Sequence, residues 1–110
     1  PSNADVYGTR VYYPVNTPNA TAADKLLAEA VKTAIDAAFP DGKAVGLRDM
    51  HGEDCYTVLY RTTVPSVLIE IGFISNAGDA ARLTDATFRT TFADAVCNAI
   101  DAYFGAPTEE

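Results

Sequence analysis

The run VPSVLIEIGF, residues 64–73, constrains this chain more than any other stretch. From Ser66 to Ile71 every residue is apolar or small except one carboxylate, Glu70. Near-continuous apolar character predicts a strand buried on both faces, as in a parallel sheet covered by helices. Taking a lone ionised carboxylate out of water costs several kcal/mol even after relaxation, so Glu70 needs a reason to be there. Four readings stand open. It pairs with a buried arginine such as Arg61 or Arg10; it faces solvent from an edge strand; it sits protonated; or it stands at the C-terminal end of a sheet strand, where open α/β sheets place their sites.

The rest of the chain supplies partners for such a strand. GTRVYYP (8–14) is β-branched and aromatic and reads as a strand. VNTPNAT is turn chemistry. A helix is predicted from Thr21, a good N-cap, with Asp24 placing its charge in the first turn. Leu27, Ala30, Val31, Ala34, Ile35 and Ala38 share one face, with Lys25, Glu29, Lys32 and Asp36 outside it. Phe39-Pro40 ends that helix, because a residue before proline is pushed out of the helical region. Residues 43–54 are polar and irregular and read as a surface loop, with room for a brief extended segment. CYTVLYRT (55–62) reads as a second strand and 64–73 as a third. Asn76 is placed to cap a short helix. A longer helix from about Thr87 to Phe104 carries the stripe Phe88, Phe92, Ala95, Val96, Ala99 and Tyr103, with Gly105 as its C′ residue. The expected architecture is α/β, a mostly parallel sheet with helices on both faces, spanning residues 1–105 and followed by an acidic tail, 106–110.

With 110 residues there is room for one modest domain. A hydrophobic fraction of 48% against 21% charged residues belongs to a globular chain rather than a disordered one. The formal net charge of -7 argues against a nucleic-acid backbone or an anionic membrane surface as partner. No apolar run reaches the length of a membrane-spanning helix. Cys55 and Cys97 are too far apart for a CxxC motif, and two buried free thiols is the simpler reading. His51 is the single histidine.

Residues 64–76, VPSVLIEIGFISN, resemble a signature of the zinc-dependent N-acetylmuramoyl-L-alanine amidases of the amidase-3 family, which reads approximately (V/M)-P-A-V-L-V-E-x-G-F-(I/L)-S-N. Val64, Pro65, Val67, Leu68, Glu70, Gly72, Phe73, Ser75 and Asn76 match in place, while Ser66 replaces a usual Ala and Ile69 a usual Val. The resemblance extends along most of the chain, through SNADVYGTRVYYP, ADKLLAEAVKTAIDAAF, GLRDMHGEDCYTVLYRTTVP and ARLTDATFRTTFADAVCNAIDAYF.

The resemblance implies a peptidoglycan hydrolase that cleaves the amide between N-acetylmuramic acid and L-alanine, working outside the cell or in its envelope. A zinc ion held by two His and one Glu activates water, and the signature glutamate, Glu70, acts as general acid/base. It also implies what is missing. The family's zinc ligands lie upstream of the matched region, and His51 falls in the loop before the CYTVLY segment rather than at a ligand position. Glu53 and Asp54 cannot complete a zinc site with one histidine. Where the family often has Arg after Val-Leu, this chain has Tyr60, with Arg61 one place later. The expectation is therefore an N-terminally truncated portion of the catalytic domain, inactive and zinc-free alone, that associates with its missing part or with itself through an exposed sheet edge. The alternative is a metal-free amidase-like module binding or regulating at the cell wall. Arg10, Lys43 and Arg48 are candidates to meet the carboxylates of a stem peptide, although lone basic residues are usually just solvated. The Tyr12-Tyr13 pair reads as packing.

Overall fold

A computed structural model describes residues 3–40, 46–52 and 56–105. In chain order these form β1 (Arg10–Val15), α1 (Ala22–Ala38), β2 (Gly46–His51), α2 (Thr57–Arg61), β3 (Leu68–Glu70), α3 (Ala77–Leu83) and α4 (Ala86–Tyr103). The sheet order is β2-β1-β3. β2 runs parallel to β1 from Arg10↔Gly46 to Val15↔His51. β3 runs antiparallel to it, pairing Arg10↔Glu70, Val11↔Ile69 and Tyr12↔Leu68. The α/β architecture is as expected, and most of the pairing is parallel. β1 is the central strand, and β-strand alternation gives its two faces different tasks.

Val11 and Tyr13 face the core. Val11 is fully buried and packs with Leu27, Ala28, Val31 and Ile35 of α1 and with Phe92, Ala95 and Ala99 of α4. Burying a side chain of this size contributes about 1.5–3 kcal/mol, so this cluster dominates the stability of the fold. α1 and α4 run antiparallel. The Tyr103 hydroxyl donates to the Ala23 carbonyl at one end, 3.2 Å, and Phe39 stacks at 5.0 Å on Phe88 at the other. The helix face read from the sequence is correct except that Ala28, rather than Ala30, is fully buried.

The N-terminus of α1 is built as expected and more firmly than expected. Thr21 and Asp24 form a reciprocal capping box. Asp24 is 2% exposed and its second carboxylate oxygen accepts from the Ser66 N–H at 2.8 Å, tying α1 to the segment that enters β3. Asn76 caps α3, and Gly105 takes the left-handed conformation, φ +65°, past the end of α4.

Three expectations need correction. Residues 56–62 of the expected second strand, 55–62, are not a strand: Thr57–Arg61 form a short helix that buries Leu59 and leaves Val58 48% exposed, and residue 55 lies outside the described residues. The β-branched and aromatic letters favour a strand only where a pleated surface is available to pack on, and β1 already has both neighbours. The loop expected over 43–54 contains β2, whose sequence GLRDMH is held by the backbone ladder to β1 and by Leu47, which packs against the core. The third strand is confined to Leu68–Glu70 and is half-buried at all three positions, not buried on both faces. The 106–110 tail lies outside the described residues. Among the described residues no helix is long and apolar enough to cross a membrane.

Candidate functional site

Glu70 is the last residue of β3 and is half-buried. Its position opposite Arg10 puts it on the face of the sheet away from the α1/α4 core, together with Tyr12. One of its oxygens accepts a hydrogen bond from the Tyr12 hydroxyl at 3.2 Å. The Tyr12 ring in turn meets Tyr56 edge-on, centroids 5.8 Å apart, at the start of α2. Among the described residues Glu70 makes no ion pair. Arg61, one of the two arginines the sequence offers it, is exposed. Arg10, the other, lies with its guanidinium 4.9 Å from the centre of the Phe73 ring.

A second carboxylate, which the sequence reading missed, organises the loop immediately after β3. Asp79, near the start of α3, is 3% exposed. One oxygen accepts from the backbone N–H groups of Gly8, at 2.8 Å, and Phe73, at 3.0 Å. The other accepts from Arg82. Burial pushes this carboxyl up, but the Phe73 and Gly8 N–H groups and the Arg82 guanidinium together outweigh it and hold its pKa below the ordinary 3.8. Gly72 makes the approach possible: a Cβ there would stand 3.2 Å from the Asp79 carboxyl carbon. A signal was present in the sequence, since Asn76 and Asp79 have the spacing of a helix N-cap with a carboxylate at N3.

A cleft of about 390 Å³ opens on the helix-covered side of the sheet, bordered by Gly8, Thr9, Phe39, Ile71, Arg82 and Phe88. Glu70 does not line it, and the one carboxylate among its described lining residues, Asp79, is already committed to backbone and Arg82. Among the described residues the lining of the cleft thus offers no uncommitted carboxylate, while Glu70 and Tyr12 lie on the opposite face of the sheet.

The other candidates are scattered. His51 is exposed at the end of β2 and sits 3.2 Å from Asp49. Arg48 is exposed and turns its guanidinium back onto the Leu47 carbonyl, 3.1 Å. Cys97 is an exposed free thiol rather than a buried one. Cys55, Lys43, Glu53 and Asp54 lie outside the described residues. Among the described residues, no three of His, Cys, Asp and Glu converge as a metal site.

The geometry can be set beside known proteins. Residues 1–102 match the amidase-3 family model, described as N-acetylmuramoyl-L-alanine amidase. Over 54 residues the chain is 37% identical to the probable cell wall amidase LytH of Staphylococcus aureus, a match covering 49% of this chain and 19% of that protein. The catalytic domain of CwlV, an N-acetylmuramoyl-L-alanine amidase from Bacillus (Paenibacillus) polymyxa var. colistinus, superposes with a TM-score of 0.78 at 27% identity, over 96% of this chain and 52% of that one. The CwlD amidase of Clostridioides difficile, solved in complex with the GerS lipoprotein, superposes at 0.79 and 25% identity, over 94% and 49%. The chain thus spans about half the length of these solved relatives. On the match across residues 1–102, this chain belongs to the amidase-3 family of N-acetylmuramoyl-L-alanine amidases.

Proposed function

We propose that this chain contributes the general acid/base, Glu70, to hydrolysis of the amide between N-acetylmuramic acid and L-alanine in peptidoglycan, outside the cell or in its envelope. The observation that carries the reading is the state of Glu70: half-buried at a strand end, hydrogen-bonded by one tyrosine and not neutralised by an arginine among the described residues. As the amide carbonyl is attacked, the carboxylate removes a proton from the incoming water. It then delivers that proton to the departing L-alanine nitrogen as the C–N bond breaks. A positioned group of this kind contributes roughly 10²–10⁴-fold in rate.

The family's chemistry calls for zinc, which supplies a water of lowered pKa. The described residues do not fit the two-histidine, one-glutamate set: His51, the single histidine of the chain, is exposed and engaged with Asp49. On this proposal the ligands come from outside the 110 residues, and no step of the proton transfer at Glu70 is assigned to them. Among the described residues the outer edge of β3 has no strand neighbour, which suits association with a further segment or a second copy.

The test is Glu70→Gln in the intact protein, assayed on muramyl peptides. Turnover is expected to fall about 10²–10⁴-fold with circular dichroism unchanged; undiminished turnover per folded molecule overturns the role. Elemental analysis of purified residues 1–110 at neutral pH is expected to find no stoichiometric zinc. One zinc per chain would put the ligand set inside these residues.

A further inference from the structure

Arg10 and Glu70 are directly paired across antiparallel strands, where opposite charges ordinarily join. They do not join here. Arg10 lies on the Phe73 ring, held by a cation–π contact, and Glu70 takes the Tyr12 hydroxyl. Phe73 is only 8% exposed, so the ring that Arg10 rests on has little freedom to move. Each charge is therefore held by its own aromatic residue, side by side on one face. The nearby Arg48 is folded back onto its own strand. Among the described residues Arg10 makes no ion pair, and its planar fork of N–H donors is uncommitted.

We infer that Arg10, parked on Phe73 beside Glu70, is the anion-binding residue of this site and takes a carboxylate of an acidic peptide. The separation serves both residues. Keeping Arg10 apart leaves Glu70 without an ion-pair partner among the described residues. A guanidinium stacked on a ring loses little freedom when its edge meets a carboxylate in two parallel hydrogen bonds. A bound carboxylate beside Glu70 would place the amide one or two residues away next to the proton acceptor. The inference rests on the amidase reading only for the choice of peptide, an L-alanyl stem whose following residue is acidic.

The experiment separates the two ideas. Binding is measured by calorimetry in the intact protein carrying Glu70→Gln, which stops turnover. The probes are N-acetylmuramoyl-L-alanyl-D-glutamic acid and the same peptide with both carboxyls amidated. The acid is expected to bind about tenfold more tightly than the diamide. Adding Arg10→Gln should abolish that preference through the acid alone, and Arg10→Lys, which keeps the charge but not the fork, should retain part of it. A preference that survives Arg10→Gln, equal weakening of both peptides, or no binding of either overturns the inference. Turnover is followed separately in the protein with Glu70 intact. No hydrolysis together with an Arg10-dependent preference would sink the proposed function and leave this inference standing; hydrolysis without the preference would do the reverse.

Discussion

Two carboxylates flank the same loop and are treated in opposite ways. Asp79 is buried, and both its oxygens are engaged by two backbone N–H groups and Arg82. Glu70 is half-buried and has one long hydrogen bond from a tyrosine. A buried charge is tolerated only when its lone pairs are satisfied, and Asp79 meets that condition. Glu70 meets it only in part and makes up the rest with solvent. Burial alone therefore does not single out a candidate for chemistry: the acid sunk deepest is the one that shapes the loop, and the acid left under-coordinated is the one proposed above to act on substrate.

The contrast can be broken in several ways. The largest effect is expected from Glu70→Gln, with turnover lost about 10²–10⁴-fold and the denaturation midpoint almost unmoved. Asp79→Ala should invert that pattern. It strands the Gly8 and Phe73 N–H groups and is expected to cost about 2–4 kcal/mol in denaturant unfolding. The same site sets an acid response. Because the Asp79 pKa is held below 3.8 in the fold, its contribution is whole above about pH 4 and is lost as pH falls through the folded value. The parent chain should therefore lose more stability than Asp79→Asn between about pH 4.5 and pH 2, measured by urea melts at each pH. Gly72→Ala pushes a methyl to 3.2 Å from the Asp79 carboxyl and should cost about 1–2 kcal/mol by the same melts. The smallest effect is expected at Ser66, whose buried hydroxyl finds no hydrogen-bond partner among the described residues. Ser66→Ala should leave stability unchanged or raise it by up to about 1 kcal/mol.

What could be read from the sequence follows the range of the forces involved. The cap at Thr21, the stop at Phe39-Pro40, the stripe from Phe88 to Tyr103 and the glycine at 105 are local, and each was legible because helix geometry repeats within a few residues. Glu70 was legible as an anomaly, a charge among apolar letters. The short helix at Thr57–Arg61 was not, because YTVLYR has strand letters and its conformation is set by the crowding of β1, which no local pattern records. β2 was missed for the complementary reason: a strand held by its backbone ladder and Leu47 leaves no alternation to read. Asp24 was legible only as a first-turn acid and Asp79 was not singled out at all; that each also grips a distant N–H, Ser66 in one case and Gly8 in the other, depends on long-range contacts.

The hydroxyl of Tyr103 ties the end of α4 to the start of α1. It grips the carbonyl of Ala23, whose neighbour Asp24 grips Ser66, and Ser66 leads into the strand that ends in Glu70. The last turn of α4 is thus linked to β3 through a short relay of hydrogen bonds. Trimming the chain before Tyr103 would therefore be felt at Glu70, some thirty positions earlier in the sequence.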